Sequence, residues 1–124
     1  MSGKNVMVVE DNEKNMKLMR VVLKAKGYNI IEATTGEEAL NLLKNQKPDI
    51  ILMDIQLPGI DGLTLIKQIK ASVITKDIPI IAVTAYAMKG DEQKILDTGC
   101  NAYVSKPINT QELPLIVEKY IKKT

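Results

Sequence analysis

The 124-residue chain contains no histidine, no tryptophan and no phenylalanine, and it has a single cysteine. Without histidine it cannot supply an imidazole general base, a histidine metal ligand or a Ser-His-Asp triad. One cysteine excludes an internal disulfide and a zinc cluster. An aromatic platform for nucleic acid would have to come from four scattered tyrosines. Any chemistry must therefore come from carboxylates, hydroxyls and lysines.

Strong charge and long apolar runs are missing as well. The net charge is +2, because residues 1–62 carry eight basic and nine acidic side chains and residues 63–124 carry nine and six. This balance is too mild for an electrostatic nucleic-acid or membrane binder. No run approaches the ~20 apolar residues of a membrane span, and no secretory leader opens the chain. We therefore expect one cytoplasmic domain, residues 1–124, that binds neither nucleic acid nor membrane.

Short apolar runs alternate with longer amphipathic segments along the whole chain. The predicted strands are Val6–Val9, Asn29–Ala33, Ile50–Met53, Ile80–Val83 and Ala102–Ser105. The predicted helices are Glu13–Lys26, Thr35–Asn45, Asp61–Ala71, Lys89–Asp97 and Asn109–Lys123. Asn12 and Asp61 can cap helices, and Thr35 with Glu38 forms a capping box. Pro114 lies inside the last helix, so we expect that helix to start late or to have an irregular first turn.

Two of these runs, Ile50–Met53 and Ile80–Val83, do not alternate with polar residues. Strands that are apolar on both faces belong to a parallel sheet covered by helices on both sides. A closed β/α barrel needs about 250 residues, so an open sheet is favoured. The sequence therefore predicts an α/β fold, a flavodoxin-like (βα)5 three-layer sandwich with strand order 2-1-3-4-5.

Polar side chains stand where four of the predicted strands end. Glu10 and Asp11 follow the first strand, and Asp54, Thr84 and Lys106 follow the third, fourth and fifth. The carboxyl ends of parallel strands share one edge, and open α/β sheets bind ligands at that edge where the strand order reverses. Three clustered carboxylates repel one another and attract a cation. Hard oxygen ligands select Mg²⁺, for which Mn²⁺ can substitute.

A carboxylate beside a metal, a lysine and a hydroxyl can act as a nucleophile toward phosphorus and form an aspartyl phosphate. Taken singly, each residue has a simpler interpretation. Asp and Thr at strand ends often cap helices, and a lone lysine is usually solvated. The combination is more specific because all members fall on one predicted edge. A cis peptide bond at Lys106–Pro107 would turn the chain sharply there and aim the lysine inward.

Four stretches make the sequence recognisable: Val-Val-Glu10-Asp11-Asn, Leu-Met-Asp54-Ile-Gln-Leu-Pro-Gly-Ile-Asp-Gly, Ala-Val-Thr84-Ala and Tyr103-Val-Ser-Lys106-Pro. With them the chain closely resembles the receiver domain of two-component response regulators over essentially its whole length. The likeness extends to stand-alone cell-cycle regulators of the DivK type through Asp-Ile-Gln-Leu-Pro and Thr-Ala-Tyr-Ala-Met-Lys-Gly-Asp. Glutamate at Glu10, where aspartate also occurs, is a common variant of the family.

The resemblance implies roles for individual residues. Asp54 is expected to be the phosphoacceptor. Asp11, Asp54 and the backbone carbonyl of Gln56 are expected to ligate Mg²⁺, and Glu10 to hold a metal-bound water. Lys106 and Thr84 would contact the phosphoryl group, and Tyr103 would be the aromatic that rotates after Thr84 moves. Gln56 and Tyr86 occupy positions at which the family tunes dephosphorylation.

The first helix carries more apolar surface than one core stripe needs. Its apolar residues cover an arc of about 220°, wider than the usual stripe of roughly 100° or more. They are Met16, Leu18, Met19, Val21, Val22, Leu23 and Ala25. One explanation is that the extra apolar residues are ordinary surface residues with no function. The other is a docking surface for a sensor histidine kinase or a histidine phosphotransfer protein, formed by Asn15, Leu18 and Pro107.

Three functions remain to be weighed. The first is a signalling module, not an enzyme with its own substrate, that is phosphorylated by a partner phosphohistidine. It would then change the surface of Lys89–Asp97, Ala102–Ser105 and the last helix, to which a downstream protein binds. The second is an aspartyl-phosphate phosphatase, which would need an Asp where Gln56 stands. The third is a flavin or nucleotide carrier, whose phosphate loop would not be acidic like residues 10–13. We favour the first, as a monomer, either stand-alone or cut from a hybrid kinase.

Overall fold

The computed structural model describes residues 3–57, 59–85 and 91–121. Strands and helices alternate along this part of the chain. The strands are β1 (Asn5–Val9), β2 (Asn29–Ala33), β3 (Ile50–Asp54), β4 (Ile80–Thr84) and β5 (Ala102–Ser105). The helices are α1 (Glu13–Lys24), α2 (Gly36–Asn45), α3 (Gly62–Ala71), α4 (Asp91–Leu96) and α5 (Glu112–Tyr120). No helix among the described residues has both the length and the apolar character that a membrane crossing requires.

All five strands are parallel and lie in the order β2-β1-β3-β4-β5, as predicted. The chain reverses direction across the sheet between β1 and β3. Strands β3 and β4 lie in the middle and are buried at every residue, which explains why their sequences do not alternate.

Helices cover both faces of this sheet. One core cluster packs α2, α3 and α4 on the face that carries Met7, Met53 and Ala82. The other packs α1 and α5 on the face that carries Val8, Leu52 and Val83. The flavodoxin-like three-layer sandwich is therefore confirmed.

The helix caps follow the sequence closely, with one correction. Asn12 and Asp61 accept hydrogen bonds from backbone N–H groups of the helices they precede. Thr35 accepts from Glu38 N at 3.1 Å, but the Glu38 carboxylate accepts from Thr34 N at 2.6 Å and not from Thr35. The predicted capping box is therefore only half formed. The extended backbone of Thr35 leaves the preceding amide within easier reach of the glutamate.

The last helix starts late, as its proline predicts. The Asn109 side chain accepts from the backbone N–H groups of Gln111 and Glu112, both at 2.9 Å. Pro114 is then the third residue of α5. Amides in the first turn have no partner within a helix, so the missing N–H of proline costs little there.

Three helices end earlier than predicted: α1 ends at Lys24 and not at Lys26, and the fourth and fifth helices are shorter too. Helix α4 ends at Leu96 and not at Asp97, and α5 ends at Tyr120. Residues 86–90, which include the predicted start of the fourth helix at Lys89, lie outside the described residues, as does Lys123.

Candidate functional site

Backbone hydrogen bonds continue past the strand ends and fix the residues that follow. Glu10 N donates to Ala33 O at 3.0 Å, and Lys106 N donates to Thr84 O at 2.8 Å. Ile55 N donates to the carbonyl of Val83 at 3.1 Å. Glu10 and Lys106 are therefore held by an extension of the sheet, whereas Asp54 and Thr84 are the last residues of β3 and β4 themselves. The Lys106–Pro107 peptide bond, for which the sequence raised a cis form as an option, is cis.

Three carboxylates converge at this edge. Oxygen atoms of Glu10, Asp11 and Asp54 all lie within 4.8 Å of one another. Glu10 and Asp54 are almost completely buried, whereas Asp11 is exposed. Two carboxylates of the cluster therefore lie in the protein interior, and the third faces solvent. A small ligand can reach the cluster from that side.

The Lys106 ammonium neutralises part of this charge. Its Nζ donates to Asp54 Oδ2 at 3.0 Å and lies 3.4 Å from Glu10 Oε1. Burial by itself acts to lower the pKa of Lys106, but the hydrogen bond and charge of Asp54, with the charge of Glu10, outweigh it and raise the pKa. The lysine therefore stays protonated and holds the Asp54 carboxylate in place.

One positive charge is not enough for three carboxylates. Burial, followed by the charge of Asp54, raises the pKa of Glu10 from 4.5 to about 6. Glu10 Oε2 accepts from Asn12 N at 3.1 Å, but Oε1 is the one buried side-chain polar atom of the described residues that has no hydrogen-bond partner. Lys106 Nζ is close enough to Glu10 Oε1 to offset its negative charge, but it does not form a hydrogen bond with that oxygen. A hard divalent cation or its water fits this oxygen-only cluster.

The raised pKa of Glu10 predicts how stability depends on pH in the absence of divalent cations. A carboxyl whose pKa is raised by folding stabilises the folded protein fully below pH 4.5. This contribution is lost as the pH rises through about 6. Glu10→Gln removes this loss, so the variant should be more stable than wild type by about 2 kcal/mol at neutral pH, since the pKa is raised from 4.5 to about 6.

Denaturant unfolding in a chelator, at a series of pH values, measures this difference. The gain should shrink toward pH 4.5, the ordinary pKa of the group. Glu13→Gln, on the exposed first turn of α1, is the matched control and should show no such trend. A gain that is the same at every pH would contradict the assignment.

Gln56 connects the two central strand ends. Its backbone N–H donates to Asp54 Oδ1 at 2.9 Å. Its side-chain Nε2 donates to Thr84 Oγ1 at 3.1 Å, and its Oε1 accepts from Ala85 N at 3.2 Å. Thr84 itself is fully buried. The sequence placed Gln56 beside the site but gave no sign of this bridge.

Tyr103 lies on the same face of the sheet as Thr84, on the adjacent strand. The register pairs Ala82 with Tyr103 and Thr84 with Ser105, so Tyr103 stands two residues before the position opposite Thr84. Its hydroxyl donates to Glu92 Oε1 on α4 at 2.6 Å. This hydrogen bond is the largest cause of the raised pKa of Tyr103. Sequence reasoning missed Glu92, because nothing in the pattern of α4 marks that glutamate as facing a tyrosine. Tyr86 lies outside the described residues.

Two of the predicted docking residues, Asn15 and Leu18, lie on α1, and the third, Pro107, lies in the segment between β5 and α5. Asn15 and Leu18 are half-buried, and Pro107 is exposed. Leu18 and Val21 form a shallow hollow with Lys14 and Lys17, and Val21 is 56% exposed. The partly exposed apolar edge expected for the first helix is therefore present.

Parallel strands in this order, with an acid cluster at their carboxyl edge, define the class of flavodoxin-like α/β proteins, and the comparisons give the family. The family model of the response regulator receiver domain matches residues 6–118. This chain belongs to the receiver domain family of response regulators. It is 50% identical, over 95% of its length and 96% of the relative, to the polar-differentiation response regulator DivK of Brucella anthropi.

Solved structures agree with this membership. A putative response regulator from Chloroflexus aurantiacus superposes with a TM-score of 0.90 at 33% identity, covering 95% of this chain and 97% of that one. The receiver domain of the sensor histidine kinase PA1611 from Pseudomonas aeruginosa gives a TM-score of 0.88 at 34% identity, covering 96% and 98%. That structure has a magnesium ion coordinated in its active-site cleft.

Proposed function

We propose that this chain is a phosphoacceptor response regulator in which Asp54 receives a phosphoryl group from a partner's phosphohistidine. One observation carries the proposal: a buried Asp54 whose carboxylate is held by Lys106 at 3.0 Å, inside a carboxylate cluster with Glu10 and Asp11. Family membership supports the same conclusion. The location proposed is the cytoplasm, where the ATP that charges histidine kinases is available.

The residues fit the chemistry of phosphoryl transfer. An oxygen of the Asp54 carboxylate attacks phosphorus, an O–P bond forms, and the N–P bond breaks with its electron pair returning to the donor imidazole. Lys106 balances charge on the phosphoryl oxygens, and the Thr84 hydroxyl donates to one of them. Asp11, Asp54 and the Gln56 carbonyl would hold Mg²⁺, with Glu10 acting through a water. When bound, Mg²⁺ neutralises the phosphoryl oxygens and orients them for in-line attack.

A phosphatase function is not favoured. Such a reaction needs an acid–base group beside the nucleophile, and the nearby Gln56 amide cannot supply or take a proton at neutral pH. Its side chain is also committed to Thr84 and Ala85. The chain is thus proposed to catalyse its own phosphorylation and slow dephosphorylation only.

The direct test is phosphorylation of the purified protein with acetyl phosphate and, separately, with a phosphorylated histidine kinase. Intact mass spectrometry should show the gain of one phosphoryl group with Mg²⁺ and a strongly reduced gain with a chelator. Mn²⁺ should restore it, because both ions take oxygen ligands. Labelling that is equally fast in chelator would contradict the metal-dependent mechanism.

We also propose that the donor docks on Asn15 and Leu18 of α1 and on Pro107, in the segment between β5 and α5. Leu18→Asp should reduce the rate of transfer from a cognate phosphohistidine protein at least tenfold, because a charge would be buried in an apolar contact. Labelling by acetyl phosphate should be unchanged. Leu115→Asp changes an exposed leucine of α5 and is the matched control. Equal loss with both donors would show damage to the site or fold.

The phosphorylated form is proposed to signal through α4, β5 and α5. A phosphoryl group draws the Thr84 hydroxyl toward it, and the Tyr103 ring, whose hydroxyl is held by Glu92, moves into the space that Thr84 leaves. Two packings that differ by a few kcal/mol suffice for such a switch. A downstream protein then binds the altered surface.

Backbone amide chemical shifts with beryllofluoride, a phosphoryl mimic, should test this route. Shift changes are expected at Tyr103, Glu92 and along α5 in wild type. They should be much smaller in Thr84→Ala, although Asp54 still binds the mimic. Changes that stay within the acid cluster of wild type would contradict the proposed output.

A further inference from the structure

Gln56 makes three hydrogen bonds that no pattern in the sequence announces. One, from its backbone N–H, goes to Asp54 Oδ1 at 2.9 Å. The other two come from the side-chain amide and reach Thr84 Oγ1 at 3.1 Å and Ala85 N at 3.2 Å. A single residue therefore joins the end of β3 to the end of β4 and to the first residue after it.

The orientation of the Gln56 amide is fixed by chemistry. A backbone N–H can only donate, so the atom facing Ala85 N must be the amide oxygen. The NH₂ group then faces Thr84, whose hydroxyl oxygen accepts. The reversed amide would place two donors together at Ala85. The bridge is therefore specific for a side chain of this length that has both an acceptor and a donor.

We propose that the Gln56 side chain is a latch that restrains Thr84 and Ala85 in the unphosphorylated conformation. This inference rests on the proposed function of Asp54. Movement of the Thr84 hydroxyl toward a phosphoryl group must stretch or break its hydrogen bond to Gln56. Movement of the following peptide must release the Ala85 N–H. Gln56 is thus a positioning residue, and it sets how far the chain favours the unphosphorylated form.

Removal of the latch should shift the conformational equilibrium in one direction, toward the form that binds a phosphoryl group. A net hydrogen bond in a protein is worth a fewfold change in an equilibrium. Loss of the two side-chain bonds raises the population of the form that binds a phosphoryl mimic, and the apparent dissociation constant falls by the same factor. Gln56→Met keeps the length and volume of the side chain and the backbone bond to Asp54, but it removes both amide contacts.

Two measurements test the latch on the purified full chain. Beryllofluoride titration with Mg²⁺ should give roughly 5-fold or greater tightening in Gln56→Met. Amide hydrogen exchange without phosphoryl donor or mimic should become severalfold faster at Ala85. Gln56→Asn keeps the amide but is one methylene shorter, so it should behave like Gln56→Met. Gln68→Met, at an exposed glutamine of α3, should behave like wild type in both measurements.

The outcomes separate this inference from the proposed function. Unchanged exchange at Ala85 in Gln56→Met overturns the bridge. Faster exchange together with equal or weaker beryllofluoride binding overturns the restraining role, because Gln56 then stabilises the bound form. Failure of wild type to bind beryllofluoride at all would overturn the phosphoacceptor function. It would overturn the regulatory part of the latch with it, although the exchange result would still report the bridge.

Discussion

Asp54→Asn is expected to abolish phosphoryl labelling by both acetyl phosphate and a phosphohistidine donor, with the fold intact. An amide oxygen is a far weaker nucleophile than a carboxylate, so the loss should be complete within detection. The shape of the side chain is kept, and the oxygen can still accept from Gln56 N, as Asp54 Oδ1 does at 2.9 Å. Intact mass spectrometry of the wild type and the variant under the same conditions measures the effect.

A second consequence of Asp54→Asn reaches Glu10. The charge of Asp54 is one of the causes that raise the pKa of Glu10 to about 6, so the pKa should move back toward 4.5 in the variant. Asp97→Asn alters an exposed carboxylate just after the end of α4 and should label normally. Persistent labelling of Asp54→Asn at the wild-type rate would show that another residue accepts the phosphoryl group.

The fold could be predicted because its physical causes are local in sequence. Strands β3 and β4 are buried at all five residues, and continuous apolar runs show this directly. Helix starts are also marked locally, because capping side chains such as Asn12 and Asp61 stand directly before the helices. The strand order followed from the number of units and the right-handed crossover rule.

The acid cluster could be predicted from the same reasoning, because parallel strands bring their carboxyl ends to one edge whatever the loops do. Side-chain partners between elements could not. Glu92 meets Tyr103 only because α4 has a particular rotation on the sheet. The Gln56 bridge depends on the path of the loop after β3.

Lys70 shows the same limit away from the site. In the sequence it resembles any solvated helix lysine. In the structure its ammonium donates to the carbonyls of Lys76 and Ile78 and to Asn101 Oδ1, at 3.2, 2.8 and 3.3 Å. Burial lowers its pKa. It ties the segment before β4 to the turn before β5, which no periodicity of α3 reveals.

Lys106→Met is expected to be the most destabilising single change at the site. It leaves Glu10 and Asp54 buried without the ammonium that lies 3.4 Å and 3.0 Å from them. Breaking a fully buried pair costs roughly 3–5 kcal/mol. Because the Lys106 side chain is 18% exposed, the loss at neutral pH should be smaller, about 2–3 kcal/mol.

The pH dependence of this loss distinguishes electrostatics from packing. Lys106 lowers the pKa of Glu10, so its removal should raise that pKa above its value of about 6. Because the pKa of Glu10 is raised in the folded variant, stability is kept below pH 4.5 and lost as the pH rises through the new pKa of the folded protein. The variant should therefore approach wild-type stability in acid and lose most above neutral pH.

Denaturant unfolding in a chelator, with a double-variant cycle, makes the test decisive. Glu10→Gln combined with Lys106→Met should recover much of the stability, because only one buried carboxylate then remains, and the two effects should be strongly non-additive. Lys67→Met, at an exposed lysine of α3, should change stability by less than about 0.5 kcal/mol. If Lys106→Met costs the same at every pH and Glu10→Gln gives no recovery, the lysine contributes by packing its methylenes and not by neutralising the acid cluster.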